Sequence, residues 1–159
     1  MGSVWLEKKI KLNEANLSFR APKSWQMVNG LYGRDVSLIG PELGPKRDVI
    51  TIEQAQNQSF SIDKEKKALP RYKKLKASWI KQKKGTVQRF DLGKTLPGLK
   101  KNHLFNEVSY RLDGNDFVEG DLFMKCSDKK FLNISFLTLK NKQEEFKKIW
   151  VEILRSIKC

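Results

Sequence analysis

The last third of the sequence constrains the fold more than any other part. Leu104, Val108, Tyr110 and Leu112 keep the two-residue period of a strand, with Glu107, Ser109 and Arg111 between them. Phe117 to Cys126 and Phe131 to Leu139 read as two further strands, joined by the polar turn Ser127-Asp128-Lys129-Lys130. Phe146, Ile149, Trp150, Ile153, Leu154 and Ile157 then recur at helical spacing among charged residues. This is a meander with an amphipathic helix laid back across it. Asp113-Gly114 serves as the hairpin turn between the first two of these strands, because both residues accept the positive φ such turns require.

The upstream half adds strands and one helical region. Val4 to Leu12 reads as a first strand or an ordered arm. Leu17 to Ala21 alternates and stops at Pro22, with Trp25 to Val28 read as its continuation. Val36 to Ile39 is a short strand ended by Gly40-Pro41, and Val49 to Ile52 is rich in β-branched residues. Lys64 to Lys84 is a basic amphipathic helix whose stripe is Tyr72, Leu75, Trp79 and Ile80. Ser61 or Asp63 caps it, Pro70 marks either its start or the meeting of two helical pieces, and Gly85 ends it. Strands, helix, strands, helix give an α+β fold with a mostly antiparallel sheet. We expect residues 1–15 to be an arm or cloning-derived start (Met1-Gly2-Ser3) plus a first strand, and 16–159 to be a single domain.

Charge is the strongest compositional signal. The chain of 159 residues carries a formal +14. Lys64 to Lys84 alone holds ten Lys or Arg against one acid, Glu65. Such a surface attracts nucleic acid, an anionic membrane surface or an acidic protein, unless it is only a solvated face. Lys73, Lys74, Lys76, Lys81, Lys83 and Lys84 are the candidate binding residues for an acidic partner. Specific nucleic-acid reading is disfavoured, because the charge is nearly all lysine and the aromatics fall on the stripe expected to be buried. No apolar run is long enough to span a membrane. No charged segment followed by an apolar stretch opens the sequence, so no signal peptide is read there.

Catalytic and metal chemistry find little footing. His103, the single histidine, stands after Lys100-Lys101-Asn102 at a strand entrance and reads as a solvent-facing bystander. No Gly-x-Ser-x-Gly elbow accompanies it. Two cysteines and one histidine at unrelated spacings do not make a zinc site. Asp113-Gly114-Asn115-Asp116 lacks the distal glutamate of a calcium loop. Gly40-Pro41-Glu42-Leu43-Gly44-Pro45-Lys46 fails the spacing of a phosphate loop, and its prolines remove N–H donors. We expect no cofactor and no metal. Cys126 and Cys159 are a disulfide candidate. The last strand runs about 33 Å away from the Cys126 turn and the helix returns about 24 Å, which brings the two ends together. The alternative is two unrelated free thiols. A bridge would imply an oxidising compartment.

Leu17-Ser18-Phe19-Arg20-Ala21-Pro22-Lys23-Ser24-Trp25 resembles the apolar-x-Phe-x-x-Pro-x-x-Trp opening of PsbP-like proteins. Val36 to Pro41 and Ile50-Thr51-Ile52 resemble their next two strands, and Phe146 to Ile157 resembles their terminal helix. The resemblance covers about Asn16 to Ile157. It implies an α-β-α sandwich with helices packed on the faces of the sheet. It also implies a binding or assembly role without catalysis, as in the photosystem protein PsbP, a Ran-binding nuclear factor, DcrB-like envelope lipoproteins and type VI secretion effector chaperones. No residue role transfers from it. Two expectations follow. One is an exported, periplasmic or envelope-associated binding module with a protein partner. The other is a cytoplasmic chaperone or adaptor that holds an apolar client segment on an uncovered sheet face.

Overall fold

Strand alternation in this sequence forms two antiparallel sheets, a two-stranded ribbon and a seven-stranded main sheet, seen in a computed structural model that describes residues 4–12, 15–42, 44, 47–54, 61–127 and 130–159. An N-terminal ribbon of β1 (Trp5–Leu12) and β2 (Ala15–Pro22) stands apart from the main sheet. The main strands are β3 (Gln26–Asn29), β4 (Val36–Ile39), β5 (Val49–Gln54), β6 (Thr86–Lys94), β7 (His103–Leu112), β8 (Asn115–Ser127) and β9 (Lys130–Leu139). Their spatial order is β3-β4-β5-β9-β8-β7-β6, every pair antiparallel. The expectation that Trp25 to Val28 prolongs β2 is corrected. Trp25 N–H bonds Pro22 O at 3.0 Å, and that turn sends the chain into the other sheet as β3.

Two helical units lie on opposite faces. α3 (Gln143–Ser156) buries Phe146, Trp150, Ile153 and Leu154. Its Trp150 meets Phe105 and Phe136, with ring centroids 5.2 and 4.6 Å apart. α1 (Ile62–Lys67) and α2 (Leu69–Gln82) cover the other face, where Ile80 packs with Val108 and Tyr110. Phe105 and Val108 have opposite parity along β7, so the sheet is sandwiched, as an α-β-α fold requires. The β1–β2 ribbon packs Leu17 and Phe19 into the α3 cluster.

Local chemistry explains the boundaries. The Ser61 hydroxyl accepts from Lys64 N–H at 3.2 Å and caps α1. Pro70 stands in the first turn of α2, where its missing donor costs nothing. At the far end Lys84, not Gly85, takes the left-handed conformation, φ 65°. Gly85 is needed for closeness, since a Cβ there would lie 2.9 Å from Ile80 Cγ2. Asp113 (φ 51°) and Gly114 (φ 80°) form the expected two-residue turn. The proposed 127–130 turn lies partly outside the described residues, as does the 40–46 loop.

Candidate functional site

α2 covers only half of its face of the sheet. Among the described residues it lies over the β6–β7 side, and no helix covers the lining parts of β9, β5 and β4 beside it. The result is a groove of about 460 Å³. Register pairs order its floor into two transverse rows. Ile39, Val49 and Leu137 stand directly opposite one another across β4, β5 and β9 and form an apolar row. Ser37, Thr51 and Ser135 form the next row two residues along, which continues into Asp121 of β8 and Asn106 of β7. α2 supplies one wall through Lys76, Trp79 and Lys83; Leu31 and Arg34, from the β3–β4 connection, and Arg47, just before β5, also line the groove.

The polar row ends in a charge network under α2. Asp121 accepts from the Tyr72 hydroxyl and, at 2.6 Å, from the Ser135 hydroxyl. Lys76 Nζ lies 2.8 Å from Glu119 Oε1 and 3.6 Å from Asp121 Oδ2. Burial, then the Asp121 charge and hydrogen bond, drive the Tyr72 phenol far above the ordinary tyrosine range. Burial and Glu119 do the same to Tyr110. Burial alone pulls the Lys76 ammonium down, but Asp121 and Glu119 outweigh it and hold its pKa above the usual lysine value. A serine whose proton is held by a carboxylate already balanced by a lysine and a phenol is poorly prepared as a nucleophile.

Among the described residues the chain places no group of three or more potential metal ligands together, and no helix is long and apolar enough to cross a membrane. Comparison with known proteins then places the architecture. No family model matches the chain, and no curated protein matches it in sequence. Solved structures do. A PsbP protein from the cyanobacterium Synechocystis aligns at TM-score 0.57 with 11% identity, over 95% of this chain and 91% of its own. LpqN of Mycobacterium tuberculosis, described as involved in cell envelope biogenesis, aligns at TM-score 0.56 with 9% identity, over 97% and 90%. A variant of the protein Mog1 aligns at 0.53 with 10% identity, over 96% and 95%. The chain has the PsbP-like fold.

Within that PsbP-like frame the six lysines do not form one outward face. Lys76 turns under α2 into the charge network. Lys73 lies over the Phe90 ring at 5.4 Å and Lys83 over Trp79 at 4.0 Å. Lys73, Lys74, Lys81, Lys83 and Lys84 are all exposed, and only Lys76 is not. The buried stripe expected of α2 is also corrected. Ile80 is 1% exposed, but Leu75 is 59% and Trp79 38% exposed, because among the described residues no helix packs against that flank of α2. His103 does not face solvent. It is 8% exposed, its Nε2 accepts from Leu96 N–H at 2.8 Å, and its Nδ1 donates to Lys101 O at 2.7 Å. Sequence reasoning missed the floor altogether. Its hydroxyl row belongs to three strands that only register aligns. Cys126 and Cys159 are placed with Cα atoms 5.9 Å apart and their sulfurs together, within the reach of a bridge. Cys126 stands at an irregularity in the β8–β9 pairing, between Lys125 and Ser127, and not in the turn itself.

Proposed function

We propose that this protein is a non-enzymatic binding module of a bacterial cell envelope that holds a segment of another protein in the groove. The carrying observation is the groove over β4, β5 and β9 beside Leu75 and Trp79, an exposed apolar pair on a lysine-rich helix. Such pairs at the rim of a cleft mark contact surfaces. The carboxylates nearest the cleft are committed to Lys76, Tyr72 and Ser135, which favours binding over catalysis. An envelope location draws on the proximity of Cys126 and Cys159 and on the fold shared with LpqN.

Photo-crosslinking from a reporter amino acid at Val49 tests the binding role. An adduct is expected at Val49, absent from a reporter at exposed Lys148, and lost when Thr51→Trp fills the groove. Equal adducts at both positions, or none, reject it. The location is tested separately by trapping thiols in intact cells. Protection of Cys126 and Cys159 until reductant is added is expected in an oxidising compartment. Two free thiols instead select the second reading, a cytoplasmic chaperone or adaptor, which the exposed Leu75–Trp79 ridge serves equally well.

A further inference from the structure

The N-terminal ribbon has one unpaired side, and the hydrogen bonds of β2 show which groups form it. In an antiparallel pair, opposed residues either exchange hydrogen bonds or both turn their N–H and C=O groups away from each other. Ser18 of β2 gives both of its groups to Lys158, at 2.9 and 2.8 Å, and Arg20 N–H goes to the Ser156 hydroxyl at 2.8 Å. Both residues therefore point away from β1. Their opposite numbers, Lys9 and Glu7, turn away from β2, and Lys11 follows by parity. Lys23 N–H, which donates to Val4 O at 2.7 Å, has the same phase. The N–H and C=O groups of Glu7, Lys9 and Lys11 thus make an outer edge, and among the described residues no backbone hydrogen bond reaches them. All three side chains are exposed.

We infer that this edge is a binding surface separate from the groove, to which an extended acidic segment of a partner protein adds as an antiparallel third strand. The two ends of the main sheet are poorer templates. β3 has only four residues, and β6 is interrupted by register shifts between Val87 and Arg89 and between Asp91 and Lys94. β1 runs eight residues in unbroken register. A regular edge of this kind invites strand addition, because each unpaired backbone group gains a partner.

Charge selects the occupant. β1 carries Lys8, Lys9 and Lys11 against the single acid Glu7. Two copies of this edge repel each other, the more so in a molecule of net charge +14, whereas an acidic strand is attracted. Alternation then sets its pattern. Glu7 and Lys9 stand opposite Arg20 and Ser18 on one face of the ribbon, while Leu6 and Ile10 stand opposite Ala21 and Leu17 on the other. Leu17 is buried in the α3 cluster, and Leu6 is still 38% exposed at the rim of that apolar face. A strand laid beside β1 places acidic side chains next to Lys9 and Lys11 and apolar ones next to Leu6 and Ile10.

The test uses the full chain and fluorescently labelled peptides of about eight residues, about 27 Å long when extended. One alternates Glu and Val, and one has Lys in place of every Glu. Two more are the Glu peptide N-methylated at its Glu amides, which face β1, or at its Val amides, which face away. Anisotropy is read against wild type, the surface double variant Lys9→Glu/Lys11→Glu, and Thr51→Trp, with circular dichroism checking that each variant is folded. The Glu peptide is expected to bind wild type, to outbind the Lys peptide, and to lose about 10-fold in affinity on the double variant and on methylation of its Glu amides. Methylation of the Val amides and Thr51→Trp should leave binding unchanged. Hydrogen exchange at the Glu7, Lys9 and Lys11 amides should slow by about 10-fold with the peptide bound. If no peptide binds, if the two methylated peptides bind alike, or if exchange at those amides is unaltered, the inference is overturned. Loss of binding on Thr51→Trp moves the peptide to the groove, which overturns the edge site and supports the groove. Protection of the three amides that grows with protein concentration, without peptide, gives the edge to a second copy and also overturns the inference.

Discussion

Lys147 shows how far a side chain can depart from the face its helix position assigns. Periodicity places it outside the apolar stripe of α3, yet its Nζ lies 2.8 Å from Glu107 Oε2 and 5.9 Å from the Phe105 ring centroid. The four-carbon stem reaches back over apolar surface to a carboxylate that is only 14% exposed. Lys147→Ala is therefore expected to cost about 1–2 kcal/mol by leaving Glu107 with Gln143 as its remaining neutral donor. The exposed Lys148→Ala should stay within about 0.5 kcal/mol. Trp150→Ala, at 0% exposure against the Phe105 and Phe136 rings, should cost about 3–5 kcal/mol. Denaturant midpoints rank the three, and equal losses at positions 147 and 148 would remove any role for the Glu107 pair. Trp150 was legible because burial on a helix follows spacing. The Lys147 pair was not, since it depends on a strand 40 residues away in sequence, and the two hydrogen bonds of His103 were not, since they depend on how the 96–102 loop folds back on the ring.

At the scale of elements, alternation located the strands of the meander and spacing located α3. What it could not supply was which strands are neighbours, and the groove follows from that. Ser37, Thr51 and Ser135 look like unremarkable polar positions until register sets them side by side. The same holds for Gly120, an inward position of β8 where the pattern asks for an apolar side chain. It faces Phe136 across the β8–β9 pair, and a Cβ there would lie 2.7 Å from the Phe136 Cζ atom. The ring occupies the space the glycine leaves and from there packs on Phe146 and Trp150, with centroids 4.9 and 4.6 Å away. Gly120→Ala must push that ring into α3, so we expect a loss of about 1–3 kcal/mol and a changed near-ultraviolet aromatic spectrum. An unchanged midpoint and spectrum would mean that Phe136 has room to move. The exposure of Leu75 belongs to the same lesson, because an amphipathic stripe says which residues are apolar and not how much of the stripe finds a neighbour.

For the whole molecule, three buried groups share one titration sign. Tyr72, Tyr110 and Lys76 all hold their protons more tightly in the folded chain than at their ordinary values of 10.0, 10.0 and 10.5. A raised folded value means the stabilisation is present in full below the unfolded value and is lost as pH climbs beyond it. Stability should thus hold up to about pH 9 and fall from about pH 10 upward, less steeply in Tyr72→Phe. Phenolate absorbance should rise together with unfolding. Ionisation of Tyr72 near its ordinary value with the fold intact would contradict the buried network. Another feature governs the order of assembly. The β1–β2 ribbon is tied down by the far end of the chain, through Ser18 N–H to Lys158 O at 2.9 Å, Lys158 N–H to Ser18 O at 2.8 Å and Arg20 N–H to the Ser156 hydroxyl at 2.8 Å. Its first residues leave the ribosome long before their partners, which lie 136 residues on for Arg20. Leu17 and Phe19 must wait in water until α3 exists. Loop closure over such a span is slow, so the ribbon docks last, and in a growing chain it is the part most open to other binders.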